Sequence, residues 1–224
     1  MTKFFYAEEI RRPEDVIAHL AEGERHWRKG KSAYELATSW IRSGEIPAPV
    51  QAVLDTCPDY RDAELIQGLF EREVDLGTPG RRSQTDLMAL IKLDHGYAIL
   101  AVEGKVEEPF GPLVGEWRDG SPGRERRLAA LCATLGLNSA EAAPLRYQLL
   151  HRSASAVYEA RRYGCDRALM LVHSFSATRA SLPDFVGFAI AVGTPVDALG
   201  KISGEKLCDG VGLRLAWVAD LPCA

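Results

Sequence analysis

Two carboxylates and an amine stand near one another in the middle of the chain: Asp86, Glu103 and Lys105. Carboxylate oxygens hold Mg²⁺ or Mn²⁺ while leaving coordination positions for water and phosphate. A divalent ion so held lowers the pKa of bound water and stabilises charge on phosphoryl oxygens. An ammonium beside it orients the attacking water or offsets transition-state charge. These residue types therefore point to metal-assisted hydrolysis of a phosphodiester, provided the chain brings them to one place.

The surrounding elements supply that placement. Asp86–Leu93 (DLMALIKL) and Tyr97–Val106 (YAILAVEGKV) read as strands, joined through Asp94-His95-Gly96 as a tight hairpin. Side chains alternate faces along a strand, so Glu103 and Lys105 share one. A turn at His95-Gly96 sets Asp86 opposite Lys105, and a turn at Asp94-His95 sets it opposite Glu103; either two-residue turn puts all three on one side, whereas a three-residue loop would break the match unless a bulge restored it. The run YAILAV is apolar at successive positions, as in a central strand covered on both faces. Gly104, between the two charged residues, allows close packing on the reverse face.

With sixteen residues between them, Asp86 and the Glu103-Gly104-Lys105 triplet at the end of an apolar strand resemble the motif of the PD-(D/E)XK nuclease superfamily. The resemblance implies a restriction-endonuclease-like core of helix, three-stranded meander, helix and strand over residues 62–173. It also implies a Mg²⁺ (or Mn²⁺) cofactor on Asp86 and Glu103, a nucleic-acid partner (DNA or RNA), and an upstream glutamate as a further ligand. Glu71 is the candidate for that glutamate and Glu73 the second choice. Thr85 stands where the family name has proline. Some relatives carry a helical Gln followed by Tyr; Gln148 matches the first, but Arg152 stands in place of the second. More narrowly, HWRKGKSAYELATSW, SQTDL, AVEGKVEEPFG and RYQLLHRSASA are similar to a bacterial family of uncharacterised proteins, which implies no activity.

Other polar residues carry weaker signals. Gln148 and Arg152, four apart on one helix, share a face; with Arg82 they are candidate substrate contacts. Arg81, Arg124, Arg126, Arg127 and Arg146 complete either a phosphate-contacting rim or an ordinary solvated surface. Glu107 has the strand parity of Glu103, though solvation at a strand end is its default role. His173, closing ALMLVH, is expected to satisfy hydrogen bonds in the core. No serine-hydrolase elbow or P-loop is present, and Gly210-Val211-Gly212 lacks the third glycine of a dinucleotide fingerprint.

Outside the hairpin, Pro13 opens a helical stretch over 13–43. Ser32 and Glu35 form a capping-box pattern within it, and Trp27 and Trp40 supply an apolar face. A short helix is expected near Asp62–Phe70 and a strand over Glu71–Leu76. Helices follow over Arg124–Leu135, Leu145–Tyr163 and Asp184–Val192, with strands at Ala168–His173 and, as an edge, Leu213–Ala219. The fold class is α/β, a mixed sheet with a three-stranded meander flanked by helices. It is expected as one domain over 1–224: a helical N-terminal cap (1–60), the nuclease-like core (62–175) and a C-terminal extension (176–224).

Composition sets outer bounds. With 224 residues, 46% hydrophobic and 26% charged, the chain is long enough for a substantial core and unlike a disordered one. No apolar run approaches a bilayer span, and MTKFFYAEEIRR is not a signal peptide, so the expected location is cytoplasmic, with no membrane partner. Five irregularly spaced cysteines suit reduced thiols. A net charge of −4 does not advertise nucleic-acid binding, although a local basic surface is what phosphate contact needs. A homo-oligomer is left open. The alternative to a nuclease is a nuclease-like fold that has lost catalysis and serves as a binding or interaction module.

Overall fold

A computed structural model describes residues 4–5, 9–20, 23, 27–78, 80–196 and 198–223. The sheet has six strands plus a two-residue strand, β1 (Phe4–Phe5), at one edge. Strands β2 (Glu64–Val74), β3 (Ser83–Leu93) and β4 (Gly96–Lys105) form an antiparallel meander. β5 (Arg167–Ser174) joins β4 in parallel, β7 (Val211–Ala219) joins β5 in parallel, and β6 (Lys206–Cys208) closes the far edge, giving the order β1-β2-β3-β4-β5-β7-β6. The central strands are covered on both faces, as the apolar run of β4 requires.

Helices form a layer on each side. One face carries α1 (Ser32–Ser43) and α2 (Ala48–Leu54), which set Leu36, Trp40, Val50 and Leu54 against Leu87, Leu100 and Leu171. After the one-turn α3 (Val114–Trp117), the other face carries α4 (Pro122–Leu135), α5 (Tyr147–Tyr163) and α6 (Leu182–Val192). These helices set Leu131, Leu149, Val157 and Phe185 against Met88, Ile99, Met170 and Trp217. Helices α1, α4, α5 and α6 each stop on a glycine in the left-handed region, at Gly44, Gly136, Gly164 and Gly193. A side chain there would add strain.

Several expectations need correction. The segment over Asp62–Phe70 is not a helix but most of β2, so the meander begins at Glu64 rather than Glu71. Its register shifts between Leu65 and Gln67, which breaks the alternation that would have marked a strand. The start of α1 is capped by Lys31 and has no side-chain cap; Ser32 is its first helical residue. Glu35 turns inward, fully buried, and accepts hydrogen bonds from the backbone of Gly30 (2.7 Å) and Cys223 (2.6 Å). Among the described residues before α1, a 3₁₀ segment spans Pro13–His19 and Gly23 is also 3₁₀, so the stretch is not one continuous α-helical run. Residues 21–22 and 24–26 of the expected helical stretch, like 1–3 and 6–8 of the cap, lie outside the described residues. Finally, β7 is not an edge strand but lies between β5 and β6, and both of its faces are packed.

The hairpin turn decides the site's register. Leu93 pairs with Gly96, so Asp94-His95 is the turn, and Leu87 pairs with Val102. On the reverse face Gly104 has no room for more: a Cβ there would lie 3.2 Å from the Cβ of Leu36 and 3.3 Å from the carbonyl oxygen of Ser32. Gly104→Ala should therefore cost about 1 kcal/mol by overpacking. That lowers Tm by about 2–4 °C for a chain of this size; an unchanged melting curve would show that α1 yields freely.

Candidate active site

Continuing the observed register by one residue brings Asp86 opposite Glu103. Met88 and Ile99 belong to the α5-side core, and by alternation Asp86, Glu103 and Lys105 face α5 as well. The backbone N–H of Gly104 donates to Asp86 Oδ2 at 2.9 Å and fixes that carboxylate against β4. Glu103 and Lys105 are nearly inaccessible, at 2% and 4% exposure, and Lys105 Nζ donates to Glu103 Oε1 at 2.9 Å. The ammonium also lies 4.9 Å from the centre of the Phe110 ring.

From α5, Gln148 and Arg152 close over these residues. Gln148 Nε2 donates to Glu103 Oε1 at 2.7 Å, and its Oε1 accepts from Lys105 Nζ at 3.2 Å. Arg152 Nε donates to Glu103 Oε2 at 2.5 Å, and its Nη2 lies 3.6 Å from Asp86 Oδ1. The guanidinium thus sits between the two carboxylates, 7% exposed. Arg152 was expected to touch substrate at a position where relatives carry Tyr. In this structure its main partner is Glu103, and nothing local in the sequence marks a pair 49 residues apart.

Glu71 completes the acidic row from β2. Phe70 pairs with Leu87 and Arg72 with Thr85, which sets Glu71 across from Asp86. Its φ of 51° lies in the left-handed region, inside a strand and without glycine's freedom. Such strain persists where the surrounding structure over-determines it, and it gathers at functional sites. Gln84 Nε2 donates to Glu71 Oε2 at 2.8 Å.

Three carboxylates here face two cations. Burial first, and then the charge of Asp86, push the Glu71 carboxyl up to about 9. Burial and the charge of Glu103 push Asp86 up to about 7. Burial also works to raise Glu103, but Arg152 and Lys105 outweigh it and hold the carboxyl below its ordinary value. The cluster therefore stores protons at neutral pH that a further cation would displace. These oxygens are of the class a hard divalent ion takes. Asp86 and Glu103 could hold such an ion once Arg152 gave up its place between them, with Glu71 behind. Among the described residues, no three His, Cys, Asp or Glu side chains already converge on one point.

The raised values fix a stability trend in metal-free solution. The folded chain keeps a proton on Glu71 that the unfolded chain releases near its model value of 4.5, so stability falls as pH rises from there to about 9. Asp86 adds to the fall only from its model value of 3.8 up to about 7. Between pH 7 and 9 the urea midpoint should decline in wild type and flatten in Glu71→Gln. A midpoint that rises over that range would refute this assignment.

Beside the acids opens a cleft of about 570 Å³, whose lining includes Arg81, Arg82, Arg124, Arg127 and Arg152. Trp117 and Tyr147 form its aromatic wall, stacked with centroids 3.9 Å apart. Of the expected arginine rim, two members lie elsewhere: Arg126 donates to Pro122 O, and Arg146 pairs with Asp184 at 2.9 Å. Glu107 accepts from Ser176 Oγ and Thr178 Oγ1 and takes no part in the site. Glu73, the second choice upstream, pairs along the strand with Gln84 and is exposed. His173 is a core residue, as expected. It accepts from Trp40 Nε1 at 3.2 Å and lies 3.0 Å from Asp220 Oδ2, an arrangement that suits a neutral ring. The role of the Trp117–Tyr147 wall was not legible, because its two halves come from separate helices.

The fold and site together define an α/β protein with a buried acid–base cluster beside an arginine-lined cleft. The chain belongs to the family described as "Domain of unknown function (DUF6946)", which it matches over residues 9–222. No curated protein and no solved structure matches it. All five cysteines are unpaired. Among the described residues, no helix is long and apolar enough to cross a membrane.

Proposed function

We propose that this chain is a divalent-metal-dependent phosphodiesterase acting on nucleic acid in the cytoplasm, built on a restriction-endonuclease-like core. The observation that carries the reading is the convergence of Asp86, Glu103, Lys105 and Gln148 on one face of a hairpin, with an arginine-rich cleft alongside. The order of meander, α4, α5 and β5 supports it. When bound, Mg²⁺ or Mn²⁺ supplies an activated water and a counter-charge for the phosphoryl oxygens. Asp86 and Glu103 would hold it, with Glu71 as the outer acid. Lys105, whose ammonium already bonds Glu103, orients water and offsets developing charge, and Gln148 holds both in register. Arg152, released from Glu103, turns its charge to the substrate phosphate.

A second reading is favoured by one observation. Arg152 already occupies the place between Asp86 and Glu103 that a metal would need. On that reading the fold has lost catalysis and binds a partner through the same cleft.

Mn²⁺ titration by calorimetry, paired with cleavage assays on single- and double-stranded DNA and RNA, separates the two. The nuclease reading expects binding at or below millimolar Mn²⁺ and cleavage of at least one substrate. No binding and no cleavage would hand the site to the second reading.

A further inference from the structure

The arginines beside the site are not equivalent. Arg152 is neutralised by Glu103, and Arg124 lies 3.4 Å from Asp119 with both side chains substantially exposed. Arg127 differs from both. It is 8% exposed, its Nε donates to Tyr147 Oη at 2.6 Å, and its Nη1 lies 3.5 Å from Thr78 Oγ1. Among the described residues, no carboxylate comes within 4.0 Å of it, nor of Arg81 or Arg82. A buried guanidinium with only hydroxyl partners is costly unless an anion completes it. The cleft it faces is lined by five arginines and no carboxylate among the described residues, in a chain whose net charge is −4.

The wall of the cleft fixes that charge in place. Trp117 and Tyr147 stack on each other, and Arg124 lies over Trp117 with its guanidinium carbon 5.3 Å from the ring centre. The Tyr147 hydroxyl then holds Arg127. His151, which also lines the cleft, is held well below its ordinary value by burial and by Arg152 and Arg127, so the positive charge of the cleft is carried by the arginines. At about 570 Å³ the cleft falls within the size range of small-ligand sites and suits a nucleotide-sized group rather than a double helix. Arg127, at 8% exposure, is the most buried of the cleft's arginines that have no carboxylate partner. A terminal phosphate carries close to two negative charges at neutral pH, against one for a diester.

We infer that this cleft is a receptor for a phosphomonoester, the phosphorylated end of a nucleic-acid strand. Arg127 is its buried anchor, Arg81, Arg82 and Arg124 its rim, and Arg152 the link to the carboxylates. The strand rests on the nuclease reading; the phosphate does not.

The test is direct binding by the full chain in EDTA at constant ionic strength, where no cleavage occurs. The probes are one short single-stranded oligonucleotide with a 5′-phosphate, with a 3′-phosphate, or with hydroxyls at both ends, labelled at an internal base. One phosphorylated form should bind about tenfold or more tighter than the hydroxyl form. Arg127→Met should remove that preference, while its Tm in phosphate-free buffer stays level or rises, because a buried unpaired charge has gone. Arg127→Lys, which keeps a charge without the fork, should retain part of the preference and guards against a folding failure in the first variant. Equal affinity for all three oligonucleotides in the wild type overturns the inference, as does a full preference in Arg127→Met. A mononucleotide that binds as tightly as the phosphorylated strand overturns the strand-end assignment in favour of a free nucleotide. Phosphate preference without cleavage in any metal defeats the nuclease reading alone, and cleavage without end preference defeats this one alone.

Discussion

Asp86→Ala and Glu103→Gln should each abolish Mn²⁺ binding and lower nucleic-acid cleavage about 100-fold or more, whereas Lys105→Ala should lose the cleavage and keep the metal. The asymmetry follows from which atoms are available. Asp86 keeps a side chain 23% exposed beside the Arg152 guanidinium, and Glu103 offers the opposite oxygen of the same gap, so removing either leaves one carboxylate at the gap with only the outer Glu71 behind it. Lys105 supplies no lone pair. Its charge opposes an incoming cation, so removing it leaves affinity unchanged or higher. Losses of about 100-fold are what a group acting chiefly on the transition state produces. Glu103→Gln also leaves Arg152 and Lys105 facing a neutral amide, so each variant must be matched to wild type by circular dichroism and Tm before its activity is read. Cleavage that survives all three substitutions would place the chemistry elsewhere.

The parts of this site legible in the sequence are those governed by short-range rules. The hairpin could be read because DLMALIKL and YAILAVEGKV are long apolar strand segments around a turn signal, and period-two alternation then assigns faces without further information. Two turn registers remained open, and the observed pairing of Leu93 with Gly96 selects the one that opposes Asp86 to Glu103. The helices α4 to α6 were legible as elements, α4 most plainly from Pro122 at its start and the apolar stripe that follows. Failure came where tertiary contacts overrode local pattern. ELIQGLF spaces Leu65, Ile66, Leu69 and Phe70 as a helix would and is rich in helix formers. Yet pairing with β3 and burial of Leu65 and Phe70 against the α1 layer make it strand, and the irregularity at Leu65/Gln67 erases the alternation. Arg127 is further out of reach. Its importance lies in lacking a carboxylate, and no spacing in a sequence reports that.

Arg152→Met should be the most destabilising single change at the site, and the way metal alters the loss should separate the two functional readings. Removing the guanidinium strips Glu103 Oε2 of a 2.5 Å hydrogen bond and Asp86 of its nearby positive charge, in a pocket where Glu103 is 2% exposed. Breaking a buried ion pair from one side costs about 3 kcal/mol or more, because the surviving charge stays buried without its partner. For a chain of 150–250 residues that lowers Tm by about 6–12 °C. The loss should be larger at pH 8 than at pH 6. Asp86, held near 7 in the wild type, takes up a proton more readily once Arg152 is gone, and at the lower pH that proton relieves much of the repulsion. The nuclease reading then makes a demand that the binding-module reading does not. If Asp86 and Glu103 are ligands, the variant has the metal's place vacated in advance, and Mn²⁺ in excess should restore half or more of the lost Tm while raising wild type much less. Binding to the folded state stabilises as RT ln(1 + [L]/Kd), so a Kd about 100-fold below the Mn²⁺ concentration returns about 2.7 kcal/mol. If Arg152 is instead the permanent counter-ion of an inert cluster, Mn²⁺ should leave the variant's Tm where the mutation put it. A thermal-shift series over pH 6 to 8, with and without Mn²⁺, reads both terms in one experiment.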